Sequence, residues 1–154
     1  GALHLAGKLS QPALITPHAG ELAKLLNSRG VQVSAEAIEG DPRKWVQIAS
    51  DTLKVTVLLK GAITFVADSE QLIELPKATP WLATAGTGDV LAGIVAALVA
   101  TNEVEILNAA STLARIAASA AFIHNTAALS ASDGGPITAT QISRFIPQTI
   151  NQFI

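Results

Sequence analysis

Thr84-Ala85-Gly86-Thr87-Gly88-Asp89 runs directly into the apolar stretch from Val90 to Ala100, and no other segment restricts the fold as tightly. Two glycines flanking a threonine let the chain turn sharply and let a ligand approach the backbone. The first N–H groups of the helix that follows lack intrahelical acceptors and form the positive end of its dipole, so the segment is suited to holding an anion. The pattern predicts a loop over Gly86 to Asp89 and a helix over about Val90 to Ala100. The same positive end stabilises a carboxylate at Asp89 and makes it available as a base. The plainer reading makes Asp89 an N-cap and nothing more. A bare cap does not need Gly86, Gly88 and Gly93 around it, which favours the ligand-binding reading.

The rest of the chain alternates strand and helix signals. Leu14-Ile15-Thr16 is a short apolar run stopped by Pro17, as in a buried strand ending in a loop. Leu22, Leu25 and Leu26 fall at helical spacing within Gly20 to Leu26. Ser34 has the composition of a helix start, and Pro42 to Ser50 reads as a helix with Trp45, Val46 and Ala49 on one face. Val55 to Leu59 is β-branched and apolar, the pattern of a central strand. Ile63 to Ala67 and Leu72 to Leu75 form a hairpin pattern around Asp68-Ser69-Glu70. Residues 105–129 read as one long helix after a break at Thr101-Asn102, and Thr138 to Ile150 as a last helix bent or broken at Pro147. This order predicts a layered α/β fold with a mostly parallel sheet.

The chain has 154 residues, no cysteine and a net charge of −2 without a basic block. That is enough for one domain, residues 1–154, without disulfides or thiolate metal sites. It also argues against nucleic acid as a partner, because phosphate neutralisation needs clustered Lys and Arg. Charged residues are 14% of the chain, against roughly 25% in an average soluble domain. Either the helices are unusually Ala-rich and tightly packed, or part of the surface is covered by another subunit or another part of the domain. The start of the sequence shows no signal peptide, and the longest apolar run, Val90 to Ala100, is too short to span a bilayer. Gly1-Ala2-Leu3-His4-Leu5-Ala6 reads as a helix already under way, the expected opening of a fragment.

Two further segments carry potential chemistry. Lys60-Gly61-Ala62-Ile63-Thr64 lies at the end of a buried strand, where open α/β sheets place their ligands. Taken alone it also reads as a solvated lysine before a hairpin glycine. Thr16-Pro17-His18-Ala19-Gly20-Glu21 also follows a strand. There, His18 could donate to a ligand, and Glu21 could orient a helix start or help hold Mg2+ through water. His4 and His124 read as structural, His124 because it falls near a helix end.

Together, Thr-Pro-His-x-Gly-Glu, Lys-Gly-x-x-Thr and Gly-Thr-Gly-Asp-Val-Leu-Ala-Gly resemble the ADP-dependent NAD(P)H-hydrate dehydratases of the ribokinase-like superfamily. The resemblance runs from Gly1 to the C-terminal helix. It implies a ribokinase-like three-layer αβα sandwich whose N-terminal part is missing here. It implies that Asp89 and His18 contact the hydrated nicotinamide, with Asp89 as the catalytic base. It assigns the nucleotide to Lys60, Gly61, Ala62, Ile63 and Thr64 and to the Gly86-Thr87-Gly88 turn. The implied reaction uses ADP, or ATP, with Mg2+: the C6 hydroxyl is phosphorylated, phosphate leaves, and NADH or NADPH is regenerated. No residue of this chain is assigned as a direct metal ligand.

Two alternatives remain at this point. One is a ribokinase-like kinase acting on a hydroxymethylpyrimidine or thiazole alcohol, which would share Gly-x-Gly-Asp but lack the Thr-Pro-His context. The other is a catalytically silent nucleotide-binding fragment. The expected partners are the hydrate, the nucleotide, and a second copy of the chain or a complementary N-terminal fragment. No membrane is expected, and the expected setting is the cytoplasm.

Overall fold

The computed structural model describes residues 12–154. The helix expected at Gly1 to Ala6, and His4 with it, lie outside the described residues. Strands β1 (Leu14–Ile15), β2 (Thr56–Leu59), β3 (Phe65–Ala67) and β4 (Leu72–Glu74) form one sheet in that order. Successive side chains in a strand point to opposite faces, and both faces here are covered. Val57, Leu59, Phe65 and Ala67 pack on helices α1 (Ala19–Asn27), α2 (Ala35–Gly40) and α3 (Pro42–Leu53). Leu58 and Val66 face the other way, onto α4 (Thr87–Thr101) and the alanines of α6 (Thr112–Ser132). The result is a helix–sheet–helix sandwich, as the alternation of strand and helix signals requires.

The sheet is mixed rather than mostly parallel. β1 and β2 are parallel, whereas β2 with β3 and β3 with β4 are antiparallel. The cause is loop length. Residues 60–64 and 68–71 are all that join these strands, and a parallel return needs a crossover of about a dozen residues or more. The hairpin around Asp68-Ser69-Glu70 stands as expected. Asp68 Oδ1 closes it by accepting from the N–H groups of Glu70 and Gln71 at 2.8 and 2.9 Å.

Helix boundaries follow capping chemistry. Ser34 Oγ accepts from the Ala37 N–H at 3.2 Å, and Asp41 Oδ1 from the Lys44 N–H at 3.2 Å, starting α2 and α3. Three expectations need correction. Helix α4 begins at Thr87, so Thr87, Gly88 and Asp89 form its first turn and the loop ends at Gly86. The long helix expected over 105–129 is two: α5 (Glu103–Asn108) and α6, with residues 109–111 between them. Gln71 Nε2 donates to the Ser111 carbonyl at 2.6 Å and fixes the break from a distant hairpin. The last helix, α7 (Ala139–Ile150), is capped by Thr138 and continues through Pro147 without breaking.

Gly86 has φ 87°, and a Cβ placed on it would lie 3.2 Å from Ala139 Cβ at the start of α7. The Gly86→Ala variant is therefore expected to lose about 1–2 kcal/mol from the left-handed backbone alone, read as a lower urea midpoint. An unchanged midpoint would show that the turn does not need this conformation.

Candidate functional site

The segment after β1 is built around one imidazole. His18 caps α1: its Nδ1 accepts from the N–H groups of Gly20 and Glu21 at 3.1 and 3.3 Å. Glu21 Oε2 returns the bond by accepting from the His18 N–H at 2.9 Å. Because Nδ1 is an acceptor, the proton of the neutral ring sits on Nε2, which makes that nitrogen a donor. A Cβ on Gly20 would lie 3.1 Å from His18 Cε1, so glycine leaves the ring its room here. The spacing His-x-Gly-Glu thus has a local cause at each position.

The parallel pairing of β1 with β2 brings the second motif alongside. The Lys60 N–H donates to the Pro17 carbonyl at 2.8 Å, and His18 pairs with Lys60 in an isolated bridge beyond the strands. Lys60 Nζ and His18 Nε2 lie 3.7 and 3.6 Å from the same Glu21 oxygen. Burial raises the Glu21 carboxyl's pKa. The His18 N–H, the Lys60 charge and the His18 ring outweigh that effect, and the net shift is downward, so Glu21 stays ionised.

The third motif closes the group. A Cβ placed on Gly88 would lie 3.5 Å from Lys60 Nζ. In the first turn of α4 the Thr87 N–H donates to the Thr84 carbonyl, and the Asp89 N–H to the Gly86 carbonyl, at 3.3 and 3.2 Å. The Gly88 N–H has no acceptor among the described residues. Thr87 itself is buried, and its hydroxyl donates to the carbonyls of Leu82 and Thr84 at 2.7 and 2.9 Å. Its hydroxyl is therefore committed to the loop. Gly93, a turn further along α4, faces open space and is not part of this group.

These groups line one cavity of about 760 Å3, within the roughly 300–1,000 Å3 typical of small-molecule sites. His18, Lys60, Gly61, Ala62, Thr64, Thr87 and Gly88 all reach it. Gly86, Ile63 and Asp89 do not form its wall. Ile63 is exposed. Asp89 is exposed on the turn beside Gly88, and its carboxylate caps nothing and makes no hydrogen bond or ion pair among the described residues. The N-cap reading of Asp89 is therefore excluded.

Sequence reasoning missed the opposite wall. His124 and Asn125 of α6 line the cavity together with Thr79. Asn125 Oδ1 accepts from the Thr79 N–H at 2.9 Å, holding the loop between β4 and α4. His124 lies in the middle of α6, not near its end, and is buried with Nε2 unpartnered. A polar His-Asn pair inside a run of alanines was the available signal.

The fold is a ribokinase-like α/β sandwich. A ribokinase-like superfamily protein of Enterococcus faecalis superimposes with a TM-score of 0.74 at 23% identity, over 99% of this chain and 50% of that one. An ADP/ATP-dependent NAD(P)H-hydrate dehydratase of Bacillus subtilis, co-crystallised with ATP/Mg2+, superimposes with a TM-score of 0.75 at 20% identity, over 93% of this chain and 48% of that one. Residues 3–148 match the family model described as NAD(P)H-hydrate dehydratase, and the chain belongs to that family. It is 32% identical to an ADP-dependent (S)-NAD(P)H-hydrate dehydratase of Cenarchaeum symbiosum over 91% of this chain and 45% of the relative. It is 41% identical to a bifunctional NAD(P)H-hydrate repair enzyme of Mycobacterium leprae over 81% of this chain and 24% of the relative. The chain thus spans less than half the length of these two curated relatives. No helix among the described residues is long and apolar enough to cross a membrane.

Burial lowers the His124 pKa to about 4, opposed by a hydrogen bond to the Thr87 backbone. A histidine whose folded pKa lies below its unfolded value stabilises the fold fully above the unfolded pKa. That stability is lost as pH falls from about 6.5 to about 4. The loss is roughly 3 kcal/mol. His124→Phe should flatten the decline of the urea midpoint across this window. An equally steep decline in the variant would place the acid sensitivity elsewhere.

Proposed function

We propose that the chain forms the nucleotide-binding part of a dehydratase that restores hydrated NADH or NADPH at the expense of ADP or ATP. The observation that carries this reading is the convergence of His18, Lys60 and Gly88 on one cavity wall from three separate segments. An unpartnered N–H at a helix start beside a lysine ammonium suits a phosphate. The family match supplies the substrate class.

In this reading Lys60 and the Gly88 N–H bind the phosphates, with the backbone of residues 61–64 along the nucleotide. Charge on the transferring phosphoryl group is stabilised by the start of α4. His18, with its proton on Nε2, donates to the hydrated nicotinamide. Asp89 takes the proton of the C6 hydroxyl as that oxygen attacks the terminal phosphorus of ADP and AMP departs. The ring nitrogen then helps expel phosphate from C6 and a proton leaves C5 to water, which restores the C5=C6 double bond of the reduced nicotinamide. The small-molecule kinase alternative would stop at the phosphorylated alcohol, and nothing in the site favours that.

Among the described residues no three metal-ligating side chains form a cluster. Mg2+ keeps much of its water and is held mainly by substrate phosphates with one or two carboxylates. Glu21, ionised and half-exposed, is the carboxylate of this cluster that would reach such an ion through water. When bound, Mg2+ neutralises phosphate charge. The reading also carries a cytoplasmic setting and a partner for the chain, either its N-terminal complement or a second copy.

The test is incubation of hydrated NADH with ADP or ATP and the chain together with its N-terminal complement. Recovery of reduced-nicotinamide absorbance is the expected result. Accumulation of a stable phosphorylated product without it would favour a kinase. Asp89→Asn should cut turnover about a hundredfold to ten-thousandfold with nucleotide affinity largely kept. Normal turnover in that variant would assign the base to another group. Gly88→Ala should weaken ADP binding, because the added methyl occupies the space before Lys60 Nζ, and calorimetric affinity equal to wild type would contradict the phosphate assignment.

A further inference from the structure

Lys77 is a cation in the cavity wall that the proposed chemistry leaves unused. The loop from β4 to the short turn at Pro80–Leu82 runs along that wall, and residues 75–80 all line it. Its backbone is held from two sides. The Leu75 N–H donates to the Thr64 carbonyl at 3.0 Å and the Ala78 N–H to the Ala62 carbonyl at 2.8 Å, so the antiparallel pairing of β3 with β4 continues into the Lys-Gly-x-x-Thr segment. One residue further on, the Thr79 N–H donates to Asn125 Oδ1 at 2.9 Å. Pro76 and Pro80 each fix a φ angle of the same loop. From this braced backbone the Lys77 side chain stands exposed, and it makes no ion pair among the described residues.

The charge in the cavity is one-sided. Lys60 and Lys77 line it, and among the described residues no carboxylate side chain does. Glu21 lies 3.7 Å from Lys60 Nζ and offsets that lysine. Lys77 has no such offset. In a chain of net charge −2, a cavity walled by two lysines and no acid concentrates anions rather than neutral metabolites. The two lysines also stand at different places along one segment. Lys60 opens it, beside Gly88, whereas Lys77 lies in the stretch paired with Ala62 and Thr64.

We infer that Lys77 is a nucleotide-binding residue: its ammonium meets the phosphate that stays with the nucleoside, while Lys60 and the Gly88 N–H meet the phosphoryl group that transfers. This rests on the nucleotide reading proposed above. The phosphate held by Lys77 is present in ADP before transfer and in AMP after it. Lys77 therefore binds donor and product alike. Such uniform binding lowers KM for the nucleotide and leaves the chemical step unchanged.

The test uses Lys77→Gln, which removes the charge and keeps most of the length, and Lys77→Arg, which keeps the charge. ADP and AMP affinities are read by calorimetry at low ionic strength and again at about 1 M salt, where the Debye length falls to about 3 Å. The expected result for Lys77→Gln at low salt is that both nucleotides bind about fivefold more weakly, the size of one solvent-open charge contact. At high salt the difference from wild type should largely vanish, and Lys77→Arg should stay near wild type throughout. The melting temperature should not move, because the side chain is exposed and unpaired among the described residues. Wild-type affinity for both nucleotides in Lys77→Gln would overturn the inference and leave Lys77 a solvated surface group. A loss confined to ADP would also overturn it, by placing Lys77 on the transferring phosphoryl group. If the wild-type chain binds neither nucleotide, the nucleotide reading itself falls and this inference falls with it. Wild-type binding that Lys77→Gln leaves intact removes the role of Lys77 alone.

Discussion

The parallel pairing of β1 with β2 is the constraint on which the rest of the site depends. Leu14 faces Thr56, Ile15 faces Val57, and the same register persists beyond the strand ends where His18 faces Lys60. A one-residue slip would move His18 away from Lys60 and reverse the faces of every side chain in β1. The register is held by the apolar residues that β2 buries on both faces and by the Pro17–Lys60 backbone bond at 2.8 Å. Two motifs far apart in sequence thereby emerge at the same end of the sheet, where parallel strands leave a crevice for ligands.

The other wall is a helix start held open by its surroundings. Thr87 is buried and spends its hydroxyl on carbonyls of the preceding loop. Gly86 supplies the left-handed turn that brings the loop into α4. Asn125 anchors the loop at Thr79, and His124 lines the same cavity as Thr87. The polar contacts of this wall are mostly to backbone, so the loop is shaped from inside and the Gly88 N–H is left over for a ligand. Lys60 and Lys77 are the charged side chains that line the cavity, and Glu21 lies 3.7 Å from Lys60 Nζ.

Much of this was legible in the sequence where local physics decides. The β-branched run at β2, the hairpin over Asp68-Ser69-Glu70 and the three motifs all sit where their composition placed them. Decisions made at long range were not legible. Nothing in residues 109–111 breaks a helix by propensity, and it is Gln71 from another hairpin that holds Ser111. The mixed sheet followed from loop lengths that the sequence contained but the layer argument ignored. The inward commitment of the Thr87 hydroxyl to Leu82 and Thr84 was likewise invisible in the Gly-Thr-Gly spacing. His124 looked like a core histidine and is one, yet it also forms the cavity wall, which only the packing of α6 on α4 reveals.

The central claim is that His18, Lys60 and Gly88 form one nucleotide-phosphate site. A crystal structure of this chain with ADP tests it most directly. The account predicts a phosphate oxygen within hydrogen-bond distance of the Gly88 N–H, roughly 2.7–3.2 Å, and a phosphate in ion-pair contact with Lys60 Nζ. Nucleotide bound elsewhere, or in this cavity with its phosphates away from Gly88 and Lys60, would contradict it.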